Sequence, residues 1–587
     1  MRSVTQGAGR LNSRGRVGCR ALQRVALACA MIWTGSVAAQ PQCRNLSEHD
    51  LESLGRLTFE DGVSAGRKPH ELALGATDGS LIAGEIRIVQ QPIFNTDLPD
   101  EDTWLFRRAN QLHVDTREQV IRDLLLFKPG EALTAEQLAE SERLLRDRPY
   151  LYDARVLPRR VCGDTVDVDV VTRDVWTLLP RLSFDRAGGD NSYGIGLSDP
   201  NVFGTGKNVS MGYTKDRDRS GVDFLYEDPN VRGSRASFAV SLEDNDDGSR
   251  QLLDVRRPFY SLDARYAWGL RLDNVDREEG LFLLGSEVSK FRHETAFLES
   301  SAGWSRGLQG GRVGRWKVGY TYEDHTFEPL PGVVAPDPFP VDRRYAYPWI
   351  GYESIKERFE TTRNFDRFHR TEDLNFGKRW AARLGWSDEV FGADDASRLV
   401  LRGGYTNVNH VRETHLFRYG FNLNGFWNFD RDEEENLVAN AFARYNHARS
   451  ASRAFSASLG VTYVRNLPVD RQLLLGGDTG LRGYPSRYQQ GDKRFLLTLE
   501  ERFFTDIYLF RLVRVGYVFF ADVGRAWESD TPGGDEFGVL ANVGIGLRLE
   551  SMRTRRDRIL HLDLGIPLVD GPDVGSVEIT LRIKQRL

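Results

Sequence analysis

The sequence predicts a mainly β chain: an antiparallel transmembrane β-barrel of about 16 strands preceded by a small α+β domain of β-α-α-β-β order. Three observations predict it. Residues 176–587 run as segments of 8 to 12 residues with period-two alternation, broken by Gly, Asp, Asn and Pro clusters. After residue 39 there is no run of about 18 apolar residues, the length a membrane-crossing helix needs. The chain also opens with six arginines and no acid before the apolar run 25–30 and the small-residue site Val37-Ala38-Ala39, the pattern of a secretory signal.

Taken in order, residues 1–39 are predicted as signal and the mature chain begins near Gln40. Removing six arginines takes the formal net charge from -5 to -11. An exported, mildly acidic chain lacks the basic footprint of a nucleic-acid binder, so nucleic acid is excluded as a partner. A mean hydropathy of -0.44 fits a soluble protein and equally a barrel, whose strands alternate lipid-facing and lumen-facing residues. Residues 40–80 carry no sustained periodicity and are predicted as a linker or a short, poorly ordered extension.

The small domain is predicted over 81–175. Ile86 and Ile88 alternate with Glu85 and Arg87 as in a half-buried strand. Two helices follow, each opened by a Thr and a Gln three residues on, Thr116/Gln119 and Thr134/Gln137, which is capping-box spacing. Val120, Ile121, Leu124 and Leu125 share one helical face, Leu138, Leu144 and Leu145 the other, and Lys128-Pro129-Gly130 separates the two helices. Residues 154–161 form a strand weakened by Pro158, and the turn Gly163-Asp164-Thr165 leads into Val166, Val168 and Val170. Two helices cover one face of the sheet, leaving the other face or an edge strand for a partner.

The barrel is predicted over 176–587. Its 412 residues, at roughly 25 per strand and connection, hold about 16 strands, within the even-numbered range of bacterial barrels. Alternation is clear at 236–243, 264–273, 398–408 and 455–464, while the charged stretches 244–250 and 430–435 read as long solvated loops. Closure is forced, because an open edge in hydrocarbon strands backbone groups at several kcal/mol each. The last strand, 577–587, therefore pairs with the first. Ile579, Leu581 and Ile583 alternate there with Glu578, Thr580, Arg582 and Lys584, similar to the C-terminal insertion signal of outer-membrane barrels but ending in Leu587 rather than an aromatic residue.

The most specific stretch is Leu475-Gly476-Gly477-Asp478-Thr479-Gly480-Leu481-Arg482-Gly483-Tyr484, followed by strands at 495–503 and 513–527. With Leu499-Glu500 and Phe520-Ala521-Asp522-Val523-Gly524-Arg525-Ala526-Trp527, it resembles the BamA/TamA/two-partner-secretion superfamily, the bacterial surface antigen family. Asp199-Pro200-Asn201-Val202-Phe203-Gly204-Thr205-Gly206-Lys207-Asn208 looks like that family's early-barrel signature. Residues 82 to about 174 look like one periplasmic polypeptide-transport-associated (POTRA) domain. The resemblance implies an Arg-Gly-Tyr tip, here Arg482, Gly483 and Tyr484, on a loop folded into the lumen, with the arginine against acidic wall residues.

Strand parity gives a separate reading of those acids, because residues two apart share a face. If Phe495, Leu497, Leu499 and Phe503 face lipid, Thr498, Glu500 and Arg502 point inward. If Val515, Tyr517, Phe519, Ala521 and Val523 face lipid, Asp522 points inward as well. Asp522 and Glu500 are thus the predicted partners of Arg482, whose planar fork suits carboxylates as lysine does not.

Other motifs carry less. Gly62-Val63-Ser64-Ala65-Gly66 matches the nucleophile-elbow pattern but sits in a segment too short for the sheet that motif needs, so the chain is predicted not to be an enzyme. The ten histidines are scattered and no metal site or cofactor is predicted. Of four cysteines, Cys43 and Cys162 remain in the mature chain, and a disulfide or two free thiols are both open.

The resemblance implies a Gram-negative outer-membrane factor for assembly or translocation of polypeptides, with the POTRA-like domain in the periplasm. Extended clients would add as a strand to its sheet edge and pass to the seam between first and last strands. Implied partners are unfolded or extended client polypeptides, outer-membrane lipids, and periplasmic chaperones or accessory proteins. With one POTRA-like domain, insertion and secretion both stay open. The rival reading is a passive outer-membrane pore or surface receptor that keeps only the barrel.

Overall fold

Residues 43–45, 81–367, 370–528, 538–554 and 558–584 are described in the computed structural model. The predicted signal, most of the 40–80 linker and the Ser64 elbow lie outside them. The N-terminal elements are β1 (Cys43–Asn45), β2 (Leu81–Gln91), α1 (Trp104–Leu112), α2 (Glu118–Arg122), β3 (Ala132–Leu133), α3 (Ala135–Arg146), β4 (Leu151–Cys162) and β5 (Thr165–Asp174). They build a five-stranded sheet of order β1-β4-β5-β2-β3. Val166, Val168 and Val170 of β5 are fully buried against Ile121, Leu138 and Leu145 of the helices, each such side chain contributing about 1.5–3 kcal/mol of transfer free energy.

This is richer than β-α-α-β-β, for local reasons. The Thr134/Gln137 capping box forms as its spacing predicts. Thr116 does not cap a helix: its backbone N–H and hydroxyl both donate to Asp174 Oδ2, at 2.7 and 2.8 Å. The helix there starts at Glu118 with no side-chain cap and lasts one turn. The unpredicted α1 is capped by Thr103, whose hydroxyl accepts from the Phe106 N–H. That cap lacks the Glu or Gln three residues on that marks a capping box, so the sequence signal was weak.

Cys43 sits opposite Cys162 in register, and the two are joined by a disulfide. The bridge closes a long loop, with a sequence separation of 119. Constraint of the unfolded chain by a loop near 100 residues amounts to about 4.7 kcal/mol in the chain-entropy picture. Replacing both cysteines by serine should therefore lower the unfolding midpoint of the N-terminal domain clearly, read by calorimetry against the unchanged barrel transition.

The second unit is a closed antiparallel barrel running from Leu179–Ala187 to Glu578–Lys584. It has 20 strands, not 16. The estimate of 25 residues per strand was too generous because many hairpins close in two residues, as at 188–189, 246–247, 284–285, 310–311, 413–414 and 451–452. Two expected loops fail for the same reason: 244–250 is a tight turn at Asp246-Asp247, and 430–435 is a short turn followed by strand. The rest of their charges lie on the flanking strands, where Arg250 pairs with Asp273 at 2.9 Å. Outward residues such as Leu182, Phe184, Tyr193, Ile195 and Leu197 are exposed while their neighbours point inward. A closed cylinder with an apolar exterior is the form in which strands cross hydrocarbon.

The small domain caps one mouth of the barrel. The Arg117 N–H donates to Gly204 O at 2.9 Å, Arg235 to Leu125 O at 2.7 Å, the Leu262 N–H to Glu140 at 2.7 Å, and Arg553 to Ile93 O at 2.8 Å. A long connection on the same side, 357–378, carries the hairpin Phe359–Thr362 and Glu372–Asn375. Arg146 holds Asp373 with two bonds of 2.8 and 2.6 Å, and Thr371 donates to Asp153 at 3.0 Å.

Within this hairpin, burial and then the neighbouring Asp366 push the Glu372 carboxyl up to about 8, against opposing N–H bonds from Asp366 and Phe365. A carboxyl raised above its unfolded value destabilises the fold only where it must ionise. The penalty is absent below the unfolded value near 4.5 and grows as pH rises toward 8. Protease cleavage within 357–378 should accordingly increase between pH 6 and pH 9, and Glu372→Gln should flatten that slope.

Candidate functional site

The connection 466–492 leaves the barrel at the end of Arg453–Arg465, remote from the small domain, and re-enters it at Lys493–Leu509. It folds inward rather than outward. A small hairpin, Leu473–Leu475 against Gln489–Gly491, forms its neck. Leu475, Leu481, Tyr484 and Tyr488 bury with Ala526 and Leu540 of the wall. Gly480 turns the chain at φ +116°, a conformation L side chains rarely adopt.

That turn delivers Arg482 to the inner wall, where it is only 4% exposed. Its Nε and Nη2 donate to Asp522 Oδ2 and Oδ1, both at 2.8 Å, in the forked geometry that favours arginine. Nη1 donates to Glu500 at 3.1 Å and to Asp563 at 3.4 Å. The guanidinium lies 3.5 Å from the ring centroid of Phe520, adding a cation–π contact. Arg482, Asp522 and Glu500 are therefore brought together in the structure.

Of the other members of the cluster, strand parity turned Arg502 inward without giving it a role, and Arg548, Asn542 and Asp563 were not singled out from sequence. Arg502 donates to Glu500 Oε2 at 2.9 and 2.6 Å, and Arg548 to Asp563 at 2.6 Å. Asn542 donates to Asp522 at 2.9 Å. Three guanidinium groups thus meet three carboxylates, the balance that buried charges require. Asp563 was findable: Leu560, Leu562, Leu564 and Ile566 alternate outward, which turns His561 and Asp563 inward by the parity used for Asp522.

The two residues after Arg482 fix its approach. A Cβ on Gly483 would stand 2.7 Å from Asn542 Cβ, so only glycine lets the tip lie this close to the wall. The Tyr484 hydroxyl donates to Ala541 O at 2.8 Å, with Val569 O at 3.2 Å. Gly483→Ala should therefore lift the tip and weaken the Arg482 cluster, visible as proteolytic sensitivity within 466–492 in an otherwise folded barrel.

The same loop spans the junction of first and last strands. Glu578–Lys584 pairs with Ile559–Pro567 through all seven of its residues, yet with Leu179–Ala187 it shares, among the described residues, one registered pair, Leu581 with Arg186. Side chains supplement it: Asp185 accepts from the Ile583 N–H at 3.0 Å, and Glu578 from the Gly189 N–H at 2.8 Å. From inside, the Ser486 hydroxyl and N–H donate to Ala187 O and Gly188 O at 2.9 and 3.0 Å. Arg582 of the last strand donates to Asp478 O at 2.7 Å. The loop thus staples both sides of a thinly paired seam.

The 199–208 motif forms a turn facing the small domain. Asn201 Oδ1 accepts from the Gly206 N–H at 2.7 Å, while its Nδ2 donates to the Thr116 hydroxyl at 2.8 Å. A second copy, Asp228-Pro229-Asn230-Val231-Arg232-Gly233, went unnoticed in the sequence and folds alike. Phe203 and Arg232 take φ of 52° and 50°, and the Asn230 side chain accepts from the Arg235 N–H at 2.8 Å.

No protein-family model matches the sequence, nor does any curated protein. Among solved structures, the chain is similar to BamA from Haemophilus ducreyi lacking POTRA domains 1–3, at 12% identity and a TM-score of 0.37, over 86% of this chain and 84% of that one. It is similar to CdiB from Acinetobacter baumannii at 11% identity and a TM-score of 0.41, over 86% and 74%. It is also similar to CdiB from Escherichia coli at 12% identity and a TM-score of 0.35, over 92% and 96%. At these identities and scores the likenesses assign neither a family nor a role.

Proposed function

We propose that this chain is a Gram-negative outer-membrane factor that assembles or translocates polypeptides without nucleotide or cofactor. The observation that carries the proposal is the seam: among the described residues one registered backbone pair joins first and last strands, and a lumenal loop anchored by Arg482 holds both sides. A junction with few backbone bonds costs little to open, and a client strand can offer the unpaired edges the bonds they lack. The energy of the step comes from the client's own strand pairing.

The small domain, on this reading, is a periplasmic POTRA-like domain that receives the client first. Two edges of its sheet differ. At β4, Glu142 accepts from the Val156 N–H at 2.9 Å and Arg146 donates to Ala154 O at 3.3 Å, so side chains cover part of that edge, and β1 covers its end. At β2, the outer neighbour β3 reaches only Leu81 and Ile82, and the Arg122 side chain donates to Ile86 O at 3.2 Å. Residues 84–91 of β2 are the edge assigned here to client capture, in place of an edge left unspecified by the sequence. Lipids surround the apolar exterior, and accessory proteins or chaperones would deliver the client.

Photoreactive residues at positions 85, 87 and 89 should crosslink extended polypeptides in intact cells. Probes on β4 at positions 154 and 156 should yield far less. A probe set that captures nothing at either edge would favour the passive pore or receptor.

A further inference from the structure

We infer that His293 and His325 form a binding site for a zinc-class divalent metal ion on the inner wall of the barrel, far from the Arg482 cluster in the sequence and independent of the assembly reading. The two residues lie on neighbouring strands, Ser286–Gln309 and Arg312–Pro329, where register sets Thr295 directly opposite His325. Both are buried, 7% and 3% exposed. They border a cavity of about 740 Å³ that is also lined by Thr295, Glu323, Arg383 and Arg402.

The hydrogen bonds orient both rings. His293 Nδ1 lies 3.1 Å from Glu279 Oε1, and His325 Nε2 lies 3.0 Å from Glu323 Oε1. A carboxylate accepts only, so each outer nitrogen carries the proton it donates. Glu279 is itself held as a carboxylate by Arg277, whose Nε donates to it at 2.8 Å. The inner nitrogens, His293 Nε2 and His325 Nδ1, then face each other at 2.9 Å, the separation of an N–H···N bond in which they share one proton. A metal ion that displaces this proton would take both nitrogens as ligands.

A histidine that binds metal with one nitrogen and gives the other N–H to a carboxylate is the usual arrangement of such sites, and here it occurs twice, converging on one point. The Thr295 hydroxyl completes a triangle, 3.2 Å from His293 Nε2 and 3.4 Å from His325 Nδ1. Ligands at about 2.0–2.1 Å from a tetrahedral ion stand roughly 3.3 Å from one another. The observed edges of 2.9, 3.2 and 3.4 Å need an opening of a few tenths of an ångström on one side. Imidazole nitrogens select zinc, copper(II) or nickel(II) over the oxygen-seeking calcium and magnesium. Water from the cavity fills the remaining position. His293 stacks on Phe327 with ring centroids 4.4 Å apart, which holds the first ligand in orientation.

The scattering of histidines along the chain, from which no metal site is predicted, hides this pair. They are 32 residues apart and meet only through strand register. The rival location is His113 with Asp115 and Asp174, where Asp115 is 70% exposed and Asp174 Oδ2 already accepts from Thr116 twice.

The test uses the full chain purified in detergent, stripped with chelator and titrated with Zn²⁺ alone. The expected result is one equivalent bound, lost in His293→Gln and in His325→Gln, weakened about 10- to 100-fold in Glu323→Gln, and unchanged in His113→Gln. Each variant is first shown to keep the heat-modifiable gel mobility of a folded barrel. Absence of stoichiometric Zn²⁺ binding by the wild-type chain would overturn the site and leave a shared proton as the cation, and loss of binding in His113→Gln would overturn it in favour of the rival location.

Discussion

Replacing Arg482 by alanine should release the lumenal loop from the barrel wall and abolish client handling while the barrel still inserts and folds. The substitution leaves Asp522, Glu500 and Asp563 in a buried site with one of three balancing cations removed. Breaking a buried ion pair from one side costs about 3–5 kcal/mol, chiefly the penalty of the stranded charge. Arg502 and Arg548 remain to offset part of this, so the barrel persists and the loop bears the loss. A cysteine at Ser486, 3% exposed in the intact protein, reports the release: it should resist a membrane-impermeant maleimide with Arg482 present and react once Arg482→Ala is introduced. Continued protection would mean that Tyr484 and the apolar neck hold the loop without the arginine.

The second large effect is expected at Arg370, which stands in the 357–378 connection with its side chain 1% exposed. It donates to Ser551 O at 2.8 Å and Thr554 O at 3.1 Å, pairs with Glu550 at 3.2 Å, and lies over the ring of Tyr152 at 4.8 Å. One side chain thus ties the hairpin to the barrel and to the small domain. Arg370→Ala leaves Glu550 buried without this partner, again at about 3–5 kcal/mol. Planar-bilayer recordings should show larger and more frequent conductance steps in the variant, because the hairpin no longer fills the mouth. Steps of wild-type size would show that the small domain alone closes it.

The two positions are connected. Arg482 meets Glu500, Glu500 meets Arg502, and Arg502 donates to Phe365 O at 3.3 Å in the same hairpin as Arg370. A displaced loop tip therefore changes the partners of a residue that touches the mouth closure. The double variant Arg482→Ala/Arg370→Ala should depart from additivity, as coupled sites do.

How much of this was legible in the sequence depended on whether the information was local. Strand parity is local, and it placed Glu500 and Asp522 on the lumenal face beside a motif that supplied Arg482. The capping box at Thr134 was equally readable. Strand number was not, since it rests on turn lengths, and Asp246-Asp247 closes in two residues a stretch whose charge suggested a long loop. Thr116 carried the spacing of a helix cap but is used by Asp174 and Asn201, partners 58 and 85 residues away. The His293/His325 pair, the thin seam and the Arg370 contacts likewise depend on register and docking, which no short window of sequence records. Asp563 and the repeated Asp-Pro-Asn-Val turn are different: both were present in the sequence and needed only the same rule applied once more.

The most direct measurement concerns the seam. Arg186→Cys and Leu581→Cys occupy a registered pair across it and can be oxidised to a covalent bridge in membranes. Client polypeptides should still crosslink to the 84–91 edge of the bridged protein but no longer to probes on the first and last strands, while either single cysteine under the same oxidant behaves as wild type. Undiminished client crosslinking at the seam, and undiminished client assembly, in the bridged protein would contradict the account.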